Sequence, residues 1–246
     1  RLKADKNVVF DASSIGFPTS LADLPAGQYA VQALFDQDKS SHDFELAQGN
    51  GRSRVKRFTI DPATAGPIDI VITREILRSK PRDLSRVRYH VLESRLVGRV
   101  RGARTFATVS VTLPASYATQ TERRYPVQYF ITDHGESSRG SVRFFSRRGI
   151  YNTRFEMKGK VDEFIQVLID GNGKHGHHYF VDSENNGPWR QAFYEEIVAP
   201  IDAEYRTDAR PAGRFLCGHG AGARAALGLV VDRPEFFAGA WVTACL

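Results

Sequence analysis

The first third of the chain alternates apolar and polar residues in short runs, separated by glycine, proline and asparagine. Period-two alternation between turn signals predicts strands at four places, residues 8–10, 28–35, 55–60 and 68–73. In the last of these runs, every second residue from Ile68 to Ile72 is isoleucine, which gives the strand one apolar face. We therefore expect a small antiparallel β-sandwich over residues 1–80, an accessory domain without a visible catalytic cluster.

A charged, proline-containing stretch over residues 77–85 separates this part from the rest and places a domain boundary near residue 80. Two longer alternating runs follow it, residues 87–94 and 105–113. The glycines at 98 and 102 lie between them, so the pattern predicts a β-hairpin with its turn over residues 98–102.

From residue 127 onward, compact apolar runs alternate with helical patterns. Residues 127–132 and 164–170 predict buried strands, and a helix is expected to begin at Pro188 and to kink or end at Pro200. Strands that alternate with helices imply a mainly parallel sheet with right-handed crossovers. Residues 81–246 are thus predicted to form an α/β domain with the antiparallel hairpin at the edge of its sheet.

The last part of the chain combines a strand, a glycine turn and a helix. Residues 214–217 predict a short buried strand, 218–222 a tight turn, and 223–231 a helix that stops before Pro234. This order is typical of a nucleophile elbow, whose usual pattern is G-x-S-x-G. The corresponding segment here is GHGAG, so Gly220 stands where the pattern has serine. Glycine has no side chain that could attack an ester or accept a proton.

Composition excludes several other classes of function. With 41% hydrophobic and 25% charged residues in 246, the chain has the make-up of an ordinary soluble globular protein. Its net charge of +6 comes without a dense basic stripe interleaved with aromatic residues, so no nucleic-acid partner is expected. The chain has no apolar run of about 18 residues, so no membrane span is expected. The chain starts at Arg1 without Met or an apolar signal segment, so the sequence does not indicate a compartment, and secreted and periplasmic locations are among those left open.

Two smaller features have simple interpretations. Seven basic side chains and one acidic one between residues 139 and 160 favour a solvated surface or a cap over the site rather than a phosphate-binding face. The two cysteines, Cys217 and Cys245, are too few for a disulfide framework, so we expect buried free thiols.

The glycine turn also fits a dinucleotide fingerprint, G-x-G-x-x-A, from Gly218 to Ala223. That fingerprint needs an acid near the end of the next strand, and residues 241–246 contain none, so no nicotinamide cofactor is expected. Three histidines and two aspartates near them suggest zinc, namely His175, His177, His178, Asp170 and Asp182. Adjacent residues of an extended segment point to opposite sides, however, so no metal is expected either.

Instead, the loop after residue 170 is expected to pack beside the glycine turn. Asp182, Asn185 and Asn186 would hold its turns through hydrogen bonds from side chain to backbone, and Trp189 would form a hydrophobic wall of the pocket.

Three segments resemble the esterase branch of the α/β-hydrolases, which contains enterochelin-esterase-like and feruloyl-esterase-like enzymes. They are VTLPASYATQTERRYPVQYFITDHG (109–135), FIQVLIDGNGKHGHHYFVDSENNGPW (164–189) and RFLCGHGAGARAALGLVVDRPEFFAGAW (214–241). The segments occur in the order of the family. The resemblance implies an α/β-hydrolase-type sheet with flanking helices, and implies that the first domain is an accessory domain of the kind some members carry.

The resemblance also implies hydrolysis of carboxylic esters by a serine, a histidine and an acid, with an oxyanion hole of backbone N–H groups and without a cofactor. Gly220 takes the nucleophile position, Ala221 supplies one oxyanion donor, and the loop at His134 and Gly135 supplies the other. Beside this position, the pocket is expected to be lined by residues of the turn and of the loop after residue 170, namely His219, His177, His178, Asp182, Asn185, Asn186 and Trp189.

Two departures from the family pattern lead to two hypotheses. The nucleophile position holds Gly220, and the family's acid and histidine lie beyond the last strand, where this chain stops at Leu246. We therefore expect either a truncated, inactive form of a serine esterase that acted on a small-molecule or carbohydrate-linked ester, or a non-catalytic relative that binds such a ligand. The final strand, residues 238–246, should leave a sheet edge exposed, through which the chain could self-associate.

Overall fold

The computed structural model describes residues 7–36, 49–61, 66–76, 82–138, 141 and 162–245. The chain divides into two compact units, one of residues 1–39 and 43–78, the other of residues 40–42 and 79–246. The basic run over residues 139–160 lies outside the described residues, apart from position 141. Within the described part, no helix is long and apolar enough to cross a membrane.

The described residues of the first unit form five short strands in two antiparallel sheets. They are β1 (Gly27–Val31), β2 (Leu34–Phe35), β3 (Gly51–Ser53), β4 (Lys56–Ile60) and β5 (Ile72–Glu75). One sheet pairs β1 with β4, and the other has the order β2-β3-β5. Whether the two sheets form a sandwich stays a prediction.

Three strand predictions in this unit are wrong. Residues 8–10 form no strand, and their side chains are more than 70% exposed. The run 28–35 is not one strand but two, β1 and β2, which belong to different sheets. The last strand begins at Ile72 rather than residue 68. Among the described residues, no apolar side chain of this unit is fully buried, so the alternation of its sequence does not correspond to a packed core.

The second unit is built on a six-stranded mixed sheet, as the sequence predicts. Its strands are β6 (Val87–Ser94), β7 (Thr105–Thr112), β8 (Val127–Ile131), β9 (Ile165–Ile169), β14 (Arg214–His219) and β15 (Gly239–Thr243). The order across the sheet is β15-β14-β8-β9-β7-β6. The first four of these are parallel, and the β6–β7 hairpin continues the sheet in antiparallel fashion beside β9.

A helix, not a turn, connects the two strands of the hairpin. Helix α1 (Arg95–Arg101) begins where the Ser94 hydroxyl accepts a hydrogen bond from the Val97 N–H, and it ends at Gly102, whose φ is 62°. The Glu196 carboxylate accepts hydrogen bonds from the Arg95 and Leu96 N–H groups, at 3.0 and 3.1 Å. The predicted turn at residues 98–102 is wrong because these caps stabilise a helix instead.

The helix expected from Pro188 does not end at Pro200. It begins as α2 (Trp189–Ala192), continues through the π-helical stretch Phe193–Val198, and ends as α3 (Ala199–Glu204). Pro200 is the second residue of α3, directly after the π-helical stretch, in which the Ala199 N–H bonds to the Tyr194 carbonyl five residues earlier. The proline therefore lies where the helix changes from π-helical to α-helical, and it does not end the helix.

Helix α4 (Ala221–Asp232) begins one residue after the end of β14 and packs on the parallel part of the sheet. The five residues of β9 are all buried, and so are three of the five in β8. Before α2, the loop forms two small hairpins, β10 (Asn172–Gly173) with β11 (Gly176–His177), and β12 (Asp182–Ser183) with β13 (Gly187–Pro188). This loop and the start of α4 both follow the carboxyl ends of parallel strands, so they lie at the same edge of the sheet.

Candidate functional site

The connection between β14 and α4 is a single residue. Gly220 has φ 55° and ψ −120°, a backbone conformation that side chains rarely adopt. Its N–H donates to the Thr243 carbonyl of β15 at 3.1 Å, and its carbonyl accepts the first hydrogen bond of α4, from the Arg224 N–H at 3.2 Å. The strand is longer than predicted, the helix begins two residues earlier, and the sharp turn is confined to Gly220.

The two flanking glycines let the helix approach the sheet until backbone atoms touch. A Cβ on Gly222 would lie 2.1 Å from the carbonyl oxygen of Ile131, at the end of β8. A Cβ on Gly218 would lie 2.3 Å from the carbonyl carbon of Gly222. Since backbone atoms cannot rotate away, any side chain at either position would force α4 off the sheet.

The space beside Gly220 is occupied by a carboxylate. A Cβ on Gly220 would lie 2.4 and 2.5 Å from the two side-chain oxygens of Asp133, the second residue after β8. Asp133 Oδ1 accepts hydrogen bonds from the Ala221 N–H and from the His134 N–H, each at 2.7 Å. The two backbone groups named from the sequence, at Ala221 and at the His134 loop, therefore converge on one oxygen atom of the chain itself.

Sequence analysis missed Asp133, although one signal could have found it. The residue follows β8, and the glycine turn follows β14, which pairs with β8 in parallel. Residues that follow neighbouring parallel strands meet at one edge of the sheet.

The Asp133 carboxyl is ionised at neutral pH. Burial opposes its ionisation, but the hydrogen bonds from the N–H groups of His134 and Ala221, with the nearby rings of His219 and His177, outweigh burial and hold its pKa below the usual range. A negative charge at the first N–H of α4 is also favoured by the helix dipole.

The backbone that carries Asp133 is fixed by a hydrogen-bonded turn. The Glu136 N–H donates to the Asp133 carbonyl at 3.1 Å, and the Asp133 N–H donates to the Glu136 carboxylate at 3.2 Å. Asn172 Nδ2 donates to the backbone carbonyls of Asp133 and Glu136. Asn172 Oδ1 accepts a hydrogen bond from the Gly135 N–H at 3.0 Å. Gly135, expected in the oxyanion region, thus has its N–H directed at Asn172, a residue that the sequence did not single out.

His177 is buried and both of its ring nitrogens contact backbone groups. Nδ1 accepts the Tyr179 N–H at 3.0 Å, so Nε2 carries the hydrogen and donates it to the Thr132 carbonyl at 3.0 Å. Burial lowers the pKa of this ring. A Cβ on Gly171 would lie 2.0 Å from Nε2, so that glycine provides the space for the imidazole. These contacts tie the loop to the end of β8.

His178 is packed in the core. Its ring stacks on Trp189 at 4.1 Å between centroids and 3° between planes, and Nδ1 accepts the Phe180 N–H at 3.2 Å. Nε2 is buried with no hydrogen-bond partner in the described part of the chain. Burial, with the neighbouring His177 and Arg101, holds the pKa of the ring well below its ordinary value. A pocket-lining role for this pair of histidines and for Trp189, which is 3% exposed, stays a prediction.

The other predicted loop residues are nearer to solvent. The exposed Asp182 accepts hydrogen bonds from the Arg190 and Gln191 N–H groups, at 2.7 and 3.4 Å, and so caps the start of α2. At the tip of the β12–β13 hairpin, the Asn186 N–H donates to the Ser183 hydroxyl, and Asn185 is exposed. Asp182 therefore makes a bond from side chain to backbone, as expected, but at the start of α2 rather than within a turn of the loop. At Asn186 the bonded group is the backbone N–H and not the side chain, so the expected role of the asparagine side chains stays a prediction.

Two exposed histidines, His134 and His219, lie next to the glycine turn and to Asp133. His219 is the last residue of β14, and its Nδ1 lies 3.0 Å from the Thr243 hydroxyl. His134 follows Asp133, and its Nε2 would lie 3.1 Å from a Cβ on Gly176 in β11. Neither ring is sequestered in the core.

The cysteines differ from each other. Cys217 is buried in β14, and burial raises the pKa of its thiol, whereas Cys245 is exposed; both are free. The expectation of two buried thiols is therefore wrong for Cys245, which lies beyond the end of β15. Among the described residues, no three histidine, cysteine or acidic side chains are grouped closely enough to hold a metal ion.

The chain is similar in fold to two solved hydrolase structures. It resembles a ferulic acid esterase, with a TM-score of 0.50 and 20% identity over 63% of this chain and 55% of that one. It also resembles an S-formylglutathione hydrolase from Agrobacterium tumefaciens, with a TM-score of 0.50 and 13% identity over 67% of this chain and 60% of that one. The chain thus spans 55–60% of the length of these two proteins.

At these identities the likeness establishes an α/β-hydrolase-type fold and nothing finer. A comparison with curated proteins gave no match. The family model described as "Putative esterase" matches residues 104–246, which is more than half of the sequence. The chain belongs to this esterase family.

Proposed function

We propose that the glycine turn is the nucleophile elbow of an esterase-family protein and that no serine chemistry takes place at it. The observation that carries the proposal is the occupation of the nucleophile position. Gly220 has the strained conformation expected of an elbow, but its side-chain space is filled by the Asp133 carboxylate. In another serine hydrolase, loss of the triad serine lowers turnover by about 10⁶-fold.

The neighbouring thiol does not replace the serine. Cys217 is buried in β14, three residues before the turn, and its raised pKa keeps it in the unreactive thiol form. Asp133 does not replace it either, because the N–H of Ala221 that would stabilise an oxyanion is hydrogen-bonded to Asp133 itself.

The test is hydrolysis of p-nitrophenyl acetate by the purified chain, with and without a serine-directed fluorophosphonate. We expect a rate no greater than that of the heat-unfolded chain at the same concentration, and no change with the inhibitor. Turnover comparable with that of an intact esterase, abolished by the inhibitor, would contradict the proposal.

The ligand class that we propose is a small-molecule or carbohydrate-linked ester, bound without turnover. The support is the fold shared with a ferulic acid esterase and the exposed His134 and His219 beside the glycine turn. Titration with methyl ferulate by calorimetry tests this second candidate. Saturable binding that His219→Ala weakens and that leaves the ester intact is expected, and the absence of any heat at millimolar ester would refute it.

We also propose that the chain self-associates through β15. This strand is at the edge of the sheet, and within the described residues it pairs only with β14. Trp241 in its centre is 75% exposed. Sedimentation velocity should show a species larger than the monomer that Trp241→Lys removes, and a monomer at all concentrations would argue against the proposal.

A further inference from the structure

The N–H groups of Ala221, at the glycine turn, and of His134, in the loop after β8, form a preorganised oxygen-binding site, and this site already has an occupant. Each N–H lies 2.7 Å from Asp133 Oδ1, a distance typical of charge-assisted hydrogen bonds and of donors to an oxyanion. We infer that Asp133 is an internal ligand that closes this site to a substrate oxygen, and that Gly220 is the residue that makes room for it.

Residue 220 must be small because of Asp133 and not only because of its own backbone. The left-handed φ disfavours any side chain, but elbows of this pattern carry serine in a strained turn, so strain alone does not require glycine. The overlap is with both carboxylate oxygens, at 2.4 and 2.5 Å from the Cβ position. Gly220 and Asp133 are therefore complementary, and a side chain at 220 requires Asp133 to leave.

Asp133 cannot leave by a shift of its backbone. Its N–H is bonded to Glu136, and its carbonyl accepts hydrogen bonds from Glu136 and Asn172. Only rotation of the side chain clears the site, at the cost of two charge-assisted hydrogen bonds. A ligand carbonyl or carboxylate that uses the Ala221 N–H must displace Asp133, and Gly220→Ser alone leaves that N–H occupied or the turn distorted.

A double-mutant cycle tests the complementarity. Gly220→Ser is made in the unaltered chain and in the Asp133→Ala variant. Gly228→Ser is the matched control, because Gly228 lies in α4 and no atom is within 4 Å of its Cβ position. Urea unfolding is followed by tryptophan fluorescence, because both tryptophans, at positions 189 and 241, belong to the second unit.

The expected outcome is that Gly220→Ser lowers the urea midpoint by about 0.5 M or more beyond its effect in the Asp133→Ala background. Folding of the double variant where Gly220→Ser alone does not fold supports the same conclusion. Gly228→Ser is expected to show no dependence on residue 133. Equal effects of Gly220→Ser in the two backgrounds overturn the inference.

A second measurement does not depend on any variant at 220. Ala221 is the first residue of α4, so its N–H has no acceptor within the helix, whereas the Arg224 N–H is bonded to the Gly220 carbonyl. In Asp133→Ala, hydrogen exchange at Ala221 should accelerate about tenfold, with Arg224 unchanged. Unchanged exchange at Ala221 overturns the inference. Neither result depends on whether esters are hydrolysed, so this inference and the proposed function can fail separately.

Discussion

Substitution of Gly222 by alanine tests the close packing that places α4 on the sheet. The added Cβ would lie 2.1 Å from the Ile131 carbonyl oxygen and 2.8 Å from that of Thr132. Both are backbone atoms at the end of β8, so neither can rotate away. Gly228, on the same helix, has no atom within 4 Å of its Cβ position and provides the matched control.

Two opposing contributions set the size of the effect. Alanine is favoured over glycine in a helix by at most about 1 kcal/mol. Overpacking usually costs about 1–3 kcal/mol, and the upper end applies where the backbone itself must move. For Gly222→Ala we expect a net loss of about 2 kcal/mol, whereas Gly228→Ala should gain about 0.5 kcal/mol from helix propensity alone.

The assay is thermal unfolding followed by tryptophan fluorescence, which reports on the second unit. A loss of about 2 kcal/mol corresponds to a Tm lower by about 4–8 °C for a domain of this size. Gly228→Ala should leave the Tm unchanged or slightly higher. A Gly222→Ala protein as stable as the unaltered chain would refute the close contact between α4 and β8.

Three further predictions concern other parts of the second unit. Asp202 is paired with Arg214 at 2.5 Å, and both side chains are largely buried. Asp202→Ala should therefore lower the free energy of unfolding by about 3–5 kcal/mol in urea titrations. A change below about 1 kcal/mol would contradict the pairing. A thiol reagent should modify the exposed Cys245 in the native protein and the buried Cys217 only after unfolding, so rapid reaction of both thiols would contradict the assigned burial. The pKa of His178 lies well below 6.5, so as the pH falls below about 6.5 the unfolded chain takes up a proton that the folded ring does not. The urea midpoint should therefore drop between about pH 6.5 and 5, and an equal drop in His178→Phe would show that another group is responsible.

The parallel part of the sheet could be predicted from the sequence because its strands are buried on both faces. Apart from one glutamine each, at positions 128 and 166, β8 and β9 are runs of apolar residues, so strict alternation is not needed to find them. In the first unit, the apolar residues of the alternating pattern are not buried in the described part of the chain. Period-two patterns predicted strands there, but they did not predict a core.

Contacts between distant residues account for most of what the sequence could not show. Helix α1 replaces a predicted turn because Glu196, 100 residues further along the chain, binds the Leu96 N–H. Asp133 was missed for the same reason, since Ala221 follows it by 88 residues. His177 and His178 could be recognised from their motif, but their contacts with backbone groups and with Trp189 are visible only in three dimensions.

The glycine turn itself was predictable because its requirement is local. A left-handed φ between a strand and a helix favours glycine, and the sequence GHGAG offers it at the right place. The sequence could not show that the position of the missing serine is filled. That feature depends on how close the Asp133 carboxylate lies to the position that a Cβ at residue 220 would take.

The central claim is that a carboxylate of the chain occupies the oxygen-binding position of the elbow, and the Ala221 amide proton reports on it most directly. We predict that this proton resonates far downfield in the NMR spectrum of the unaltered protein, because it donates to an ionised carboxylate at 2.7 Å. In Asp133→Asn it should move upfield while the Arg224 amide stays in place. An Ala221 resonance that is the same in both proteins would contradict the account.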